Sequence, residues 1–289
     1  VISGTANAEV VNMGTIKADK VEVHGTDIKF LDLSDVTTGV MTDANKLTFN
    51  ATGEINLGKN QDTSKTNAAY TANQTETVYN VIENQAQLQA IPDNATGNYW
   101  LSEDINTSGT FTPISGFAGV FDGNFFNING LTVSNSSTSA GLFSTIKGAS
   151  SNTSGRAIVR NLGLKNVNIQ AADNAYMGGL AGKAENANIT DVFVSGGTIK
   201  QGAYSGGILG SAKNVTMDSV YNTANVGSGI GAGLISRPLG NVHVTNAYNA
   251  GIAKFGYYNT ALGDNTFQYV YDDGTRSGST SYANGSATG

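Results

Sequence analysis

The side chains of this chain that are able to do chemistry are few and widely spaced. Asp191 and Asp218 fall in neighbouring copies of a repeated segment, and Asp272 and Asp273 stand together near the C-terminal end. Paired carboxylates are the apparatus of glycan hydrolysis, one delivering a proton while the other attacks or activates water. When the repeats are superposed, Asp191 aligns with Ser219 and not with Asp218, so this pair does not converge. Each reads as a turn or ladder residue. The run Asp272, Asp273, Gly274 reads as a turn. The only two histidines, His24 and His243, lie in different regions without metal-ligand spacing. The chain has no cysteine, which removes disulfides, thiol catalysis and Cys-based metal sites. The Gly pairs 178–179 and 206–207 lack the Lys or third Gly of a phosphate cradle, and the calcium-binding nonapeptide is absent. No catalytic, cofactor-binding or metal-binding residue is expected.

What the glycines do mark is a repeat. AGLF (140–143), GGLAG (178–182), GGILG (206–210) and GAGLIS (231–236) each lead into a β-branched strand, and Gly141, Gly179, Gly207 and Gly233 follow one another at intervals of 38, 28 and 26 residues. Repeats of that length stack, because one copy cannot bury its apolar side alone. A second segment aligns as VRNLGL, ITDVFV, MDSVYN and VTNAYN. Leu162, Val192, Val220 and Ala247 then form one inward column, Phe193, Tyr221 and Tyr248 a second, and Asn161, Asp191, Ser219 and Asn246 a small polar one. With coils about 4.8 Å apart, these columns lie along the stacking axis.

Those columns need strands, and the composition supplies them. The chain has 289 residues, 39% hydrophobic and 13% charged, with Gly, Asn, Ser and Thr filling the deficit. That bias suits a β-solenoid whose polar residues sit in turns and ladders. Residues 1–59 read as short strands, with alternation plain at 20–23 and 29–33. Residues 60–77 are almost wholly polar and read as an excursion. VIENQAQLQAI (81–91) predicts one short helix, with Val81, Ile82, Ala86, Leu88 and Ile91 on its face and Pro92 closing it. Strands resume at 99, where Phe117, Phe121, Phe125, Ile128, Leu131 and Val133 are expected in the core. Residues 147–156 read as a loop inserted in one coil, which lengthens the first interval.

The net charge is −6, and the 16 Lys and Arg are thinly spread, which predicts no basic patch and no nucleic-acid or anionic-membrane partner. No apolar run of about 18 residues predicts a membrane insertion. The start at Val1 and the trailing Gly/Ser-rich tail predict a piece of a longer protein.

The pattern GGLAG…ANITDVFVSGG, GGILG…KNVTMDSVYNTANV, GAGLIS…NVHVTNAYNAG resembles the GLUG motif, and NYWLSEDI…FAGVFDGNFFNINGLTVSN…AGLF looks like the segment that leads into it. Residues 12–25, NMGTIKADKVEVHG, are similar to coils of filamentous-haemagglutinin-type exoproteins of Gram-negative two-partner secretion. Two departures stand out. The third repeat has Gly-Ala-Gly in place of the paired Gly, and Asn124, Phe125 and Phe126 replace the usual Gly-His after the FDG turn. The resemblance implies an all-β, right-handed parallel β-helix (β-solenoid) with one short helix and flanking loops. It divides into haemagglutinin-type coils over 1–59, a polar excursion over 60–80 and a continuous GLUG-repeat region over 81–289.

It further implies a non-enzymatic segment of a large bacterial adhesin, secreted or on the cell surface, delivered through an outer-membrane barrel. Its expected partner is a host-cell receptor or glycan. The alternatives are a polysaccharide-degrading β-helix enzyme and a purely structural stalk. Contact is expected at the loops 60–77, 147–156 and 266–285, because loops carry binding while coils hold them. Candidate N-glycosylation sites, at sequons, are Asn50, Asn73, Asn94, Asn106, Asn135, Asn152, Asn188, Asn214 and Asn284.

Overall fold

The computed structural model describes residues 2–3, 9–12, 14–37, 42–136, 138–200, 202–227, 231–256, 258 and 261–272. It is an all-β parallel β-helix. Within each of its two compact units, strand pairs with strand of the next coil in parallel register. One unit comprises Val1–Glu83 with Gly97–Ser102, and the other Asn84–Thr96 with Glu103–Gly289.

The first unit stacks its strands in columns. Ile2–Ser3, Val21–Gly25, Leu47–Ala51 and Thr71–Ala72 form one. Glu9–Asn12, Asp27–Phe30, Ile55–Asn60, Glu76–Ile82 and Asn98–Leu101 form another. Alternation of buried and half-buried residues along Val21–Gly25 places Val21 and Val23 inside with Ile28, Phe30, Leu47, Phe49, Ile55 and Leu57. At 29–33 the expected alternation stops. Leu31, Asp32 and Leu33 are all buried because the chain tightens into the 3-10 turn Leu33–Asp35, which Asp32 caps by accepting from the Ser34 backbone at 2.8 Å. A buried carboxylate needs partners, and the Asn60 amide provides a second at 2.8 Å. Trp100 is buried, stacked 4.2 Å from Tyr79, and donates from its indole nitrogen to the Leu31 carbonyl at 2.9 Å. The polar run 60–77 is a loop only in part. Thr71–Ala72 pairs with Leu47–Ala51, and Glu76 already starts a strand.

In the second unit the helix is Gln85–Gln89, shorter than its sequence pattern. Val81 and Ile82 belong to the strand Glu76–Ile82, while Asn84 caps the helix by accepting from the Gln87 backbone at 2.9 Å and Leu88 is its buried residue. The long strands Ala157–Ala171, Ala181–Ile199, Leu209–Asn222 and Val242–Asn249 carry the repeats. Leu162 pairs in register with Val192, Val192 with Val220, and Val220 with Ala247, and all four are buried. The loop 147–156 falls where the interval predicts it. The pairing offset is 38 residues at Lys147↔Glu185 and 30 at Ala157↔Ala187.

The aromatic column faces the other way. Phe193, Tyr221 and Tyr248 are in register, but Tyr221 and Tyr248 are each 37% exposed. Adjacent residues of a strand point to opposite faces, so Val192 and Val220 inside put Phe193 and Tyr221 outside. The small polar column explains itself by backbone: Asn161, Asp191, Ser219 and Asn246 have φ of 53, 53, 54 and 50°. Left-handed conformation favours short polar side chains that bond locally, so this column is a corner of the coil.

The repeated glycines stand where a side chain would collide. A Cβ on Gly207 would fall inside the Asn222 amide, and one on Gly233 inside that of Asn249. Those amides form a buried ladder. Asn222 Nδ2 donates to Asn249 Oδ1 at 2.9 Å, and Asn249 Nδ2 donates to Asp272 Oδ1 at 2.7 Å.

Candidate functional site

The strand Val120–Asp122 ends in the turn carrying Asn124 and Phe125, both left-handed at φ 49 and 65°. Asp122, 1% exposed, holds this turn. It accepts from Arg160 Nε at 2.9 Å, Asn161 Nδ2 at 3.0 Å and the Asn124 backbone at 2.9 Å. The Phe125 backbone in turn donates to the Asn161 carbonyl at 2.8 Å. A bulky residue at positive φ costs about 1–3 kcal/mol and persists only where its surroundings over-determine it. The product is a Phe ring 75% exposed. The sequence places Phe125 in the core. The structure puts it outside, because the two left-handed residues turn its Cβ away while Phe121 and Ile128 fill the interior.

Beside this ring lies a cleft of about 210 Å³ lined by Phe125, Asn161, Asp191, Phe193, Ser219 and Tyr221. Its floor is the left-handed corner, and its wall is the aromatic column. Phe193 and Tyr221 stack with centroids 4.7 Å apart and planes 2° from parallel. Gly163 pairs with Phe193, and a Cβ there would strike the ring, so the column begins where a side chain is missing. It continues through Tyr248 to Tyr271, which is 61% exposed. Burial pushes the Tyr221 phenol up. The cleft therefore offers ring faces and edges, an exposed carboxylate at Asp191 and the hydroxyls of Ser219 and Tyr221. That combination suits binding of a ligand with an apolar face and a few donors.

The aspartates considered for catalysis are kept apart. Asp218 accepts from Thr245 Oγ1, and from Asn246 Nδ2 at 2.9 Å. The Thr245 hydrogen bond, with those of Asn246 and Ser219, holds its carboxyl below the usual range against the opposing effect of burial. Asp191 sits one coil away at the left-handed corner, in register with Ser219. Asp272 is not a turn residue. It ends the strand Asn265–Asp272 and terminates the buried amide ladder, while Asp273 lies outside the described residues. His24 lies on Val21–Gly25 with Nε2 3.7 Å from Glu22, and His243 is on Val242–Asn249. Among the described residues no group of three or more His, Cys, Asp and Glu gathers to hold a metal, and no helix is long and apolar enough to cross a membrane.

The contact loops change in extent. Of 266–285, residues up to 272 are strand and the remainder lies outside the described residues. The loop 147–156 contains the 3-10 turn Thr153–Gly155, and Arg156 donates to the Asn214 carbonyl.

The sequons divide by occupation. Asn73 is tied both ways to Ala51, accepting from its nitrogen at 3.0 Å and donating to its oxygen at 2.9 Å. Asn214 donates to Asn186 Oδ1 at 3.1 Å, and Asn106 accepts from Asn129 Nδ2 at 3.0 Å. Asn94 is left-handed, with its oxygen against Gly116. Asn50 and Asn188 are half-buried on strands, whereas Asn152 is exposed and caps nothing with its side chain. The Asn135 side chain and Asn284 lie outside the described residues.

Phe125 is the residue that sequence reasoning missed as a site, although the departure from Gly-His after the FDG turn was its signal.

No curated protein and no solved structure matches the chain. Residues 21–196, about three-fifths of its length, match the family described as the M26 IgA1-specific metallo-endopeptidase N-terminal region. On that match the chain belongs to the M26 IgA1-specific metallo-endopeptidase N-terminal region family.

Proposed function

We propose that this chain is a non-catalytic binding segment of a bacterial adhesin, secreted or held on the cell surface, and that it attaches to a host-cell protein or glycan through the Phe125 cleft. The observation that carries this reading is the exposed Phe ring kept in a strained left-handed backbone by Asp122 and Asn161. Strain of that kind, clustered with an exposed aromatic column, is characteristic of recognition sites. The absence of cysteine, which suits a chain exported unfolded, and the likeness to exoprotein coils support the location. The family match favours a second reading, in which the segment engages the immunoglobulin named in the family's description on behalf of a peptidase elsewhere in the parent protein.

Phe125→Gly separates these from a passive stalk. Glycine relieves the positive φ, so the variant is expected to be more stable than the parent by about 0.5–1 kcal/mol while losing at least tenfold in binding. Binding is measured on epithelial cells, a glycan array and immobilised IgA1. Loss on cells or glycans supports the adhesin, loss on IgA1 the second reading, and unchanged binding removes the cleft from the function. Glycan fragments in the supernatant identify the enzyme alternative.

A further inference from the structure

Sixteen basic residues against twenty-two acidic ones, spread over the whole chain, give no basic patch in the sequence. The register gathers five of them on one outer sheet face of the second unit. Thr145 pairs with Lys183, Lys183 with Ser211 and Ser211 with Arg237, making one column in which Thr145, Lys183 and Arg237 are half-buried and Ser211 is buried. Two residues along, Lys147 pairs with Glu185 and Glu185 with Lys213. Ala184 and Ala212 between them point inward and are buried. The Arg156 guanidinium joins from the loop by donating to the Asn214 carbonyl, next to Lys213. Glu185 is the one carboxylate in these two columns, with Lys213 Nζ 3.8 Å away.

The cations are propped on aromatic rings. Tyr176 and Tyr204 stack at 5.0 Å, Lys183 Nζ lies 4.5 Å over the Tyr176 ring, and the Arg237 guanidinium lies 4.7 Å over Tyr204 while donating to the Tyr176 hydroxyl at 3.1 Å. Among the described residues, Arg156 and Arg237 each leave a buried Nε with no hydrogen-bond partner. Alongside runs a groove of about 500 Å³ lined by Thr112, Ser134, Thr138, Ser144, Thr145 and Lys183, among others. A row of hydroxyls beside a row of cations is complementary to a chain of hydroxyl groups carrying regular negative charge. Coils about 4.8 Å apart set Lys183 and Arg237 about 10 Å apart along that row.

We infer that this face binds an anionic polysaccharide bearing sulfate or carboxylate groups, at a surface separate from the Phe125 cleft. The hydroxyl groove distinguishes this occupant from an acidic peptide or a nucleic acid, whose backbones do not call for it.

The test uses the whole chain and dextran sulfate, with neutral dextran, poly-glutamate and duplex DNA as comparators. Binding to dextran sulfate with none to dextran is expected, weakening steeply between about 50 and 200 mM salt as counterions are released. The variant Lys183→Gln/Lys213→Gln/Arg237→Gln is expected to lose at least tenfold. Lys147→Gln/Lys213→Gln, which touches only exposed lysines, is expected to lose severalfold with an unchanged melting curve. The charge-matched control Lys17→Gln/Lys46→Gln/Lys59→Gln and Phe125→Gly are expected to bind as the parent does. No binding to dextran sulfate at low salt, equal loss in the control, or preference for poly-glutamate or DNA overturns the inference.

Discussion

The second unit contains two ladders built on Asn side chains, the inner one ending on a carboxylate, and they differ in where they run. In the inner one, Asn222, Asn249 and Asp272 are linked at 2.9 and 2.7 Å, with Asn222 and Asn249 at most 1% exposed. In the outer one, Asn214 donates to Asn186 at 3.1 Å and Asn241 donates to Asn214 at 2.9 Å, at left-handed positions with φ of 53, 51 and 52° for Asn186, Asn214 and Asn241. The Asn-to-Asn hydrogen bonds are alike, at 2.9 Å inside and 3.1 and 2.9 Å outside. What separates the ladders is what replaces a lost one: water reaches the outer rungs, whereas an inner rung leaves buried donors and acceptors unmet. The inner ladder is thus held by its bonds and the outer one by its backbone conformation.

That distinction can be broken in order of size. Asn249→Ala strips partners from both Asn222 and Asp272 and is expected to cost about 2–3 kcal/mol in urea titration. A cost equal to that of an exposed rung erases the difference between the ladders. Asn214→Val places a β-branched residue at φ 51° and is expected to cost about 1–2 kcal/mol, whereas Asn241→Gly, which loses the amide but keeps the conformation, stays within about 0.5 kcal/mol of the parent. If the glycine variant falls as far as the valine one, the outer ladder is bond-dependent after all.

The smallest effect concerns Asp218, whose folded pKa is depressed chiefly by the Thr245 hydroxyl. A depressed carboxyl contributes stability above its unfolded pKa and loses it as pH falls through the folded one. Thr245→Val is therefore expected to be less stable than the parent at neutral pH, with the gap closing on acidification below the ordinary aspartate range. A gap independent of pH assigns the loss to packing alone.

The inner column Leu162, Val192, Val220, Ala247 and the loop inserted at 147–156 were both legible in the chain, because parallel stacking repeats the same environment at every coil and the spacing records it. The polar column was visible too, though not its left-handed geometry, which needs the backbone. The facing of Phe193 and Tyr221 follows from strand parity once Val192 is fixed inside. Phe125 did not follow, since composition assigns a Phe to the core unless the turn that carries it is known.

The sequence by itself determined the repeat, its approximate period and hence the parallel β-helix, because a stacked coil must present matching residues at matching positions. Only the tertiary structure decided which side chains meet. Lys147, Lys183, Lys213 and Arg237 are separated by 24–36 residues in the chain, yet register brings them to one face, since lateral pairing turns a sequence interval of one coil into a distance of about 4.8 Å.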